Sequence, residues 1–341
     1  MDAPAAPYAP SWYDRLQAWI ERRTDLGWTF WVVAGVAVAV VSNILAWLAG
    51  HVQSGVLDPY INSGAAYLAI TYGGMHYLDG AAARGWRAFR PAAELTDAEA
   101  ERFAYELTTM PARPALMATG IGVVMALVYT VSQYGRPLDL DDQPVLFLLS
   151  IVVSTVGFVG TAGLYYHALH QLRVIGRAHR FVGSIDPLHL SPLNAFAGVT
   201  AATGVLLLAL GYLFLPTNPL PLANPVNIAT GVVSNVLAIA CFVLPLLGIH
   251  DAIGAAKARR LAEVNGLLAD RLRDLHDRAT QRDLTDADQL DSQLTSLVTE
   301  RRLVSDAPTW PWDSQTLRGF SAAIVIPIVL WLTYRLLEQA L

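Results

Sequence analysis

Seven long runs of this chain contain no charged residue, and the segments between them divide its cations almost completely. The runs cover 28–50, 59–77, 114–135, 145–166, 192–215, 227–250 and 319–334. Most approach the ~20 residues that an α-helix needs to cross the hydrocarbon core of a bilayer. Lipid offers backbone N–H and C=O groups no partner, so runs of this kind cross as helices. Of the 23 Lys and Arg residues, all but Arg136 and Arg335 fall before the first run or after the second, fourth and sixth. Cytoplasmic loops retain Lys and Arg. The pattern therefore predicts an all-α polytopic membrane protein with seven transmembrane helices, N-terminus in and C-terminus out, in the plasma (inner) membrane.

That orientation is opposite to the G-protein-coupled receptors and the microbial rhodopsins. The only lysine, Lys257, lies outside the runs, which excludes a retinal Schiff base. With 54% hydrophobic and 15% charged residues, lipid is the principal partner. The cations are spread along one membrane face instead of forming a stripe on a soluble domain, so nucleic-acid binding is not expected. The single Cys241 sits within a run and permits neither a disulfide nor a thiolate metal site in one chain. The first residues hold Asp2 and no cation, and the first run is long enough to stay as an anchor, so a cleavable leader is not expected.

Four regions follow. Residues 1–27 hold a short interfacial helix over 11–22, opened by Ser11 with Asp14 three on, with Trp12, Leu16, Trp19 and Ile20 on one face. Residues 28–250 form a six-helix transmembrane region with a cytoplasmic loop helix over 96–109, opened by Thr96 and Glu99. Within it, Gly157, Gly160 and Gly163 make a smooth strip that lets a neighbouring helix approach closely. Residues 251–307 form a cytoplasmic helical hairpin. Its seam is Leu261, Val264, Leu268, Leu272 and Leu275 on one helix, with Leu290, Leu294, Leu297 and Val304 on the other. Residues 308–341 form the final transmembrane helix, kinked at Pro327.

Three sets of residues are candidates for chemistry. His76, His167, His170 and His250, with Asp79 and Asp251, end the even-numbered runs at similar depth, and imidazoles converging there could hold zinc or iron and activate water. His167 and His170, three apart, can as well be interface-seeking side chains bonded to backbone or lipid phosphate. Asn62, Tyr67, Tyr129, Gln133, Tyr212 and Asn235 could shape a small-molecule pocket in the outer halves of the helices, or simply bond helix to helix. In the last run, Ser321, Ile324, Pro327, Ile328, Trp331 and Thr333 are the residues that would line a pore or form a hydrophobic constriction. A basic stripe, His170, Arg173, Arg177 and Arg180, and an acidic stripe, Asp270, Asp274 and Asp277, are expected to pair or to meet lipid headgroups. No run contains Asp, Glu, Lys or Arg, which argues against a proton pump or a charged-substrate carrier.

The order of elements resembles the seven-helix ion channels to which insect odorant and gustatory receptors belong: a long helical extension after the sixth span, a second cytoplasmic helix running back, then a short final span. The resemblance is architectural. It implies a homo-oligomer anchored by the hairpin, a pore lined by the last helix, no cofactor, and a ligand held by the outer halves of the other helices. That family's C-terminal motif, built on Thr-Tyr and ending Gln-Phe, is not reproduced; the nearest text is Thr333-Tyr334. The adiponectin-receptor and hemolysin III group shares the orientation, but it expects two histidines four apart on the last helix, and residues 314–341 contain none. The expected function is an oligomeric membrane channel or ligand sensor, with a metal-dependent membrane hydrolase and a structural assembly protein as alternatives.

Overall fold

The computed structural model describes residues 6–132, 144–182, 185, 186, 188, 190, 192–213, 225–281, 287–312 and 314–340. All regular elements among them are helical: α1 (Trp12–Glu21), α2 (Thr29–Leu48), α3 (Pro59–Leu68), α4 (Gly74–Phe89), α5 (Asp97–Thr108), α6 (Ala112–Ser132), α7 (Pro144–Arg177), α8 (Ala197–Tyr212), α9 (Pro225–Val243), α10 (Leu247–Gln281), α11 (Ala287–Asp306) and α12 (Ser314–Ala340). Among the described residues, five helical stretches are long and apolar enough to cross a membrane: Thr29–Leu48, Ala112–Thr130, Phe147–Arg177, Leu193–Tyr212 and Asn235–Gln281. Their outward faces are apolar, as in Val36, Met117, Val128 and Val236, each more than half exposed. Such surfaces need lipid to cover them. The molecule is thus an all-helical protein with the helices of a membrane protein.

The second apolar run is a continuous rod made of α3, one π-helical turn (Ala69–Gly73) and α4. Its polar residues are turned inward, with Thr71 and Tyr72 buried. The glycine strip of α7 receives this rod. Gly157 lies against Tyr67, Gly163 against Met75, and a Cβ at Gly160 would stand 2.6 Å from Tyr72 Cε2. Close approach lets the Tyr72 hydroxyl donate to the Val156 carbonyl at 3.1 Å. A second contact joins α6 to α7. A Cβ at Gly122 would fall 2.6 Å from the Val159 Cα and 2.7 Å from the Phe158 carbonyl oxygen.

The first helix is held by contacts with the rest of the protein. Its capping box forms as expected from Ser11 and Asp14. The buried side chains, however, are Tyr13, Gln17 and Ile20, with Trp12 and Leu16 only partly covered and Trp19 half exposed beneath the Arg23 guanidinium. The reason is hydrogen bonding: Gln17 accepts from the Trp31 indole at 3.0 Å, and the Tyr13 hydroxyl donates to the Tyr72 carbonyl at 2.7 Å. That hydroxyl also meets the His76 N–H. It therefore sits where Tyr72 and His76, four apart, would close a normal helical bond.

Loop helix α5 is opened by the Thr96–Glu99 capping box and buries Ala100, Phe103 and Leu107. Phe103 packs on Trp86 of α4, with ring centroids 4.6 Å apart, and on Phe181 beyond the end of α7. After α9, a 3-10 turn at Leu244–Leu246 contains Pro245, and the chain continues into α10. At ~1.5 Å per residue, the 35-residue α10 extends roughly 50 Å. Antiparallel α11 is held to it by Arg260–Glu300 (2.6 Å), Arg301 donating to Asn265 (2.9 Å), and Lys257 donating to the carbonyls of Ser305 and Ala307. Of the expected seam, Val264, Leu290 and Val304 are buried, whereas Leu261, Leu268, Leu275, Leu294 and Leu297 are half-buried and Leu272 is exposed.

The α6–α7 contact yields a paired test. Gly122→Val forces two backbones apart and is expected to cost ~1–3 kcal/mol, the scale of overpacking. Gly120→Val, which meets open space, should leave thermal unfolding in detergent unchanged. Equal unfolding temperatures for both variants would refute the close approach.

Candidate functional site

A layer of polar side chains lies where α1, α4, α5 and α7 meet. At its centre the Asp79 carboxylate faces His167 Nε2 at 2.8 Å. His167 is 3% exposed, so its ring has no water to turn to. Gln171, one turn along α7 and fully buried, reaches the Leu107 carbonyl at 3.1 Å and the same Asp79 oxygen at 3.4 Å. His76, one turn before Asp79, meets Glu21 of α1 at 3.5 Å. A carboxylate bonded to an imidazole can pass a proton between them or act as a plain structural bolt joining α4 to α7.

The outer part of the layer fastens the N-terminal segment. Ser11 N–H donates to the Met110 carbonyl at 3.0 Å and Ala112 N–H to the Ala9 carbonyl at 3.1 Å, around the bridge between Pro10 and Pro111. Asp14 accepts from the Met110 N–H at 3.1 Å and from both Ser11 donors. Burial raises the Asp14 carboxyl above its ordinary value, although the Ser11 bonds pull the other way. The Tyr8 hydroxyl donates to the Thr109 carbonyl at 2.8 Å and lies 3.2 Å from His170 Nε2. Burial pushes both the Tyr8 and Tyr13 hydroxyls above the ordinary tyrosine range. Beside them, Glu106 is clamped by Arg177 at 2.8 Å and Arg102 at 3.0 Å. Burial alone would raise the Glu106 carboxyl, but the two guanidiniums outweigh it and hold it below 4.5.

The structure does not bring the four candidate histidines together. His167 goes to Asp79, His76 to Glu21, and His170 to the Glu106 carbonyl at 2.9 Å. His250 contacts the Thr309 carbonyl at 3.0 Å and stacks on Trp310 at 4.1 Å. Among the described residues, no group of three or more His, Cys, Asp or Glu side chains is placed to hold a metal ion. The basic and acidic stripes do not meet either. Arg177 turns to Glu106, while Asp270 and Asp274 pair with Arg273 and Arg271 on their own helix.

The outer polar set is likewise dispersed. Asn62 accepts from Asn43 at 2.9 Å, the Tyr67 hydroxyl reaches the Leu210 carbonyl at 3.3 Å, and the Tyr212 hydroxyl donates to Asn235 at 3.1 Å. Tyr129 packs on Phe158 with ring centroids 5.3 Å apart, and Gln133 lies outside the described residues. On α12, Ile324 packs against the cluster of Leu208, Ala238, Phe242 and Phe320, whereas Ser321 and Thr333 are exposed. The side chains of Pro327, Ile328 and Trp331 lie outside the described set. Sequence reasoning missed Tyr13, Gln17 and Gln171. The first two were hidden by the more apolar face beside them, and Gln171 carried a readable signal, being four residues after His167. No family model matches this chain, and neither a curated protein nor a solved structure does.

The Glu106 clamp predicts an acid-sensitive step. Its folded pKa lies below the unfolded value of 4.5, so its stabilisation is fully present above that value and is lost as pH falls through the folded pKa. Glu106→Gln should lower thermal stability at pH 7, and the difference from the parent should shrink as pH falls below 4.5. A constant difference across that range would remove the ionic role.

Proposed function

We propose that this chain is an oligomeric integral membrane channel or ligand sensor of the plasma (inner) membrane. It has seven spans, N-terminus in and C-terminus out, with α12 lining the pore and the hairpin joining subunits. The supporting observation is the one-sided seating of α12. Phe320 is buried and Ile324 partly covered against α8 and α9, while Ser321, Val325, Ile326, Val329 and Thr333 of the same helix are exposed. A helix held along one side leaves the other for lipid or for a symmetry axis. The hairpin argues for the axis. Leu267, Leu272, Val298 and Leu303 are about half exposed on the charged part of α10, after the charge-free run 227–250, and on α11.

Topology is read first: a reporter after Leu341 should be extracytoplasmic and one near Gln281 cytoplasmic, and a reversal of either discards the orientation. Leu268 and Leu297 are only half-buried within one chain. Truncating a fully buried leucine costs ~2–5 kcal/mol, so Leu268→Ala with Leu297→Ala should dissociate the oligomer while membrane insertion persists. An unchanged mass in detergent removes the anchor role. In vesicles, Ile328→Ser should leak ions faster than the parent by lowering a hydrophobic barrier. If neither protein conducts, and cysteines along 320–334 are all shielded from water-soluble reagents, α12 lines no pore.

A further inference from the structure

The layer between α1, α4 and α7 holds an acid that no permanent cation balances. Asp79 meets His167 Nε2 at 2.8 Å and Gln171 Nε2 at 3.4 Å, and among the described residues no Lys or Arg pairs with it. A carboxylate withdrawn from water needs a compensating charge or a proton of its own. Here only the imidazole can supply one, so the pair is neutral while its two members hold a single proton between them and charged once that proton leaves. Two atoms beside it, His167 Nδ1 and Gln171 Oε1, have no protein partner, although their residues are 3% and 0% exposed. His167 therefore keeps a second nitrogen free to take up or release a proton.

The surrounding groups make loss of that proton costly. From α1 the pair is faced by Asp14, Glu21 and the Tyr13 hydroxyl, from α4 by His76, and from α7 by His170, which in turn meets Glu106 of α5. On α1, Arg15 and Arg22 are exposed, and Arg23 lies over the Trp19 ring. Docked α1 thus adds two carboxyls to the neighbourhood of Asp79. Burial pushes the Asp79 carboxyl above its ordinary value, with the His167 imidazole pulling against it.

Glu21 opens the way in. It is half exposed and lies 3.5 Å from His76, which precedes Asp79 by three residues on α4. Residues three apart share a helix face, so acid, imidazole, acid and imidazole follow one another from solvent to the pair. The adjoining charge-free runs, 59–77 and 145–166, hold no Asp, Glu, Lys or Arg to carry the proton onward. Such an arrangement senses pH instead of moving protons across a membrane.

We propose that Asp79 and His167 form a proton-binding site whose occupancy holds α1 on the other helices. Docking brings Asp14 and Glu21 toward Asp79, and like charges drawn together bind a proton more tightly than when apart. The docked state is therefore favoured at low pH, and that stabilisation is lost as pH rises through the titration of the docked pair. α1 is a lid that closes in acid and loosens in alkali. The site is independent of any pore, span count or oligomer.

The test is amide hydrogen exchange of the full chain in detergent, followed by mass spectrometry on peptides from α1 and α11 and corrected for the intrinsic pH dependence of exchange. A ten-residue helix is marginal on its own, so the α1 amides exchange when it undocks. One linked proton changes the docking equilibrium by up to about tenfold per pH unit. Between pH 5.5 and 8.5 the protection of α1 should fall about tenfold or more relative to α11. Asp79→Asn removes the charge and keeps the shape, so it should leave α1 protected at both pH values. His167→Gln should leave α1 loose at both, and if that variant does not fold, Asp79→Asn decides alone. Protection of α1 that does not change with pH in the parent, or a pH response that survives in either variant, would overturn the proposal. An Asp79→Asn chain with α1 loose at both pH values would overturn it too, because that is the behaviour of a plain structural bolt.

Discussion

An apolar surround supplies no hydrogen-bond partner, and the packing of this protein answers to that constraint. Polar side chains within the helical rods turn to backbone carbonyls or to each other. Thr71 bonds the Tyr67 carbonyl, Tyr72 that of Val156, and Tyr67 that of Leu210. Each interhelical bond needs two helices close enough to share it, and glycine provides the distance. The rod formed by α3 and α4 can engage α7 through Tyr72 because Gly160 presents no side chain at that level. Satisfying polar groups and packing helices tightly are one requirement here, met by the same residues.

Outside the charge-free runs a different solution appears. Asp79, His167 and Gln171 form a buried knot between α4 and α7, and the N-terminal segment closes over it through backbone pairing at Met110 and the Tyr13 hydroxyl. Three buried polar atoms in this neighbourhood, Gln17 Nε2, His167 Nδ1 and Gln171 Oε1, have no protein partner among the described residues. Buried amides and imidazoles cost free energy when unpaired. They mark this layer as the place where the fold is least satisfied by its own side chains.

Local signals were the legible ones. The Ser11–Asp14 and Thr96–Glu99 capping boxes are written within four residues, and the glycine strip of α7 within seven. The fate of the histidines was not, because depth along a helix can be counted from sequence while rotation about the bundle cannot. His76, His167, His170 and His250 reach comparable levels yet face four different partners. In the outer polar set, Asn62, Tyr67, Tyr129, Tyr212 and Asn235 each find a neighbour that no spacing announces. The π-helical turn was equally invisible. Tyr13, far earlier in the chain, places its hydroxyl against the carbonyl of Tyr72 within that turn.

Lys257 holds the base of the hairpin by donating to the carbonyls of Ser305 and Ala307, at 2.7 and 2.8 Å, near the C-terminal end of α11. A compact ammonium is suited to collecting several carbonyls at a helix end, where the backbone leaves them unpaired. It is also the only lysine in the chain. Acylating reagents consume the neutral amine and therefore compete with these two bonds. The rate at which this one side chain is modified measures how often α11 lifts away from α10, so the protein carries its own chemical gauge of hairpin opening.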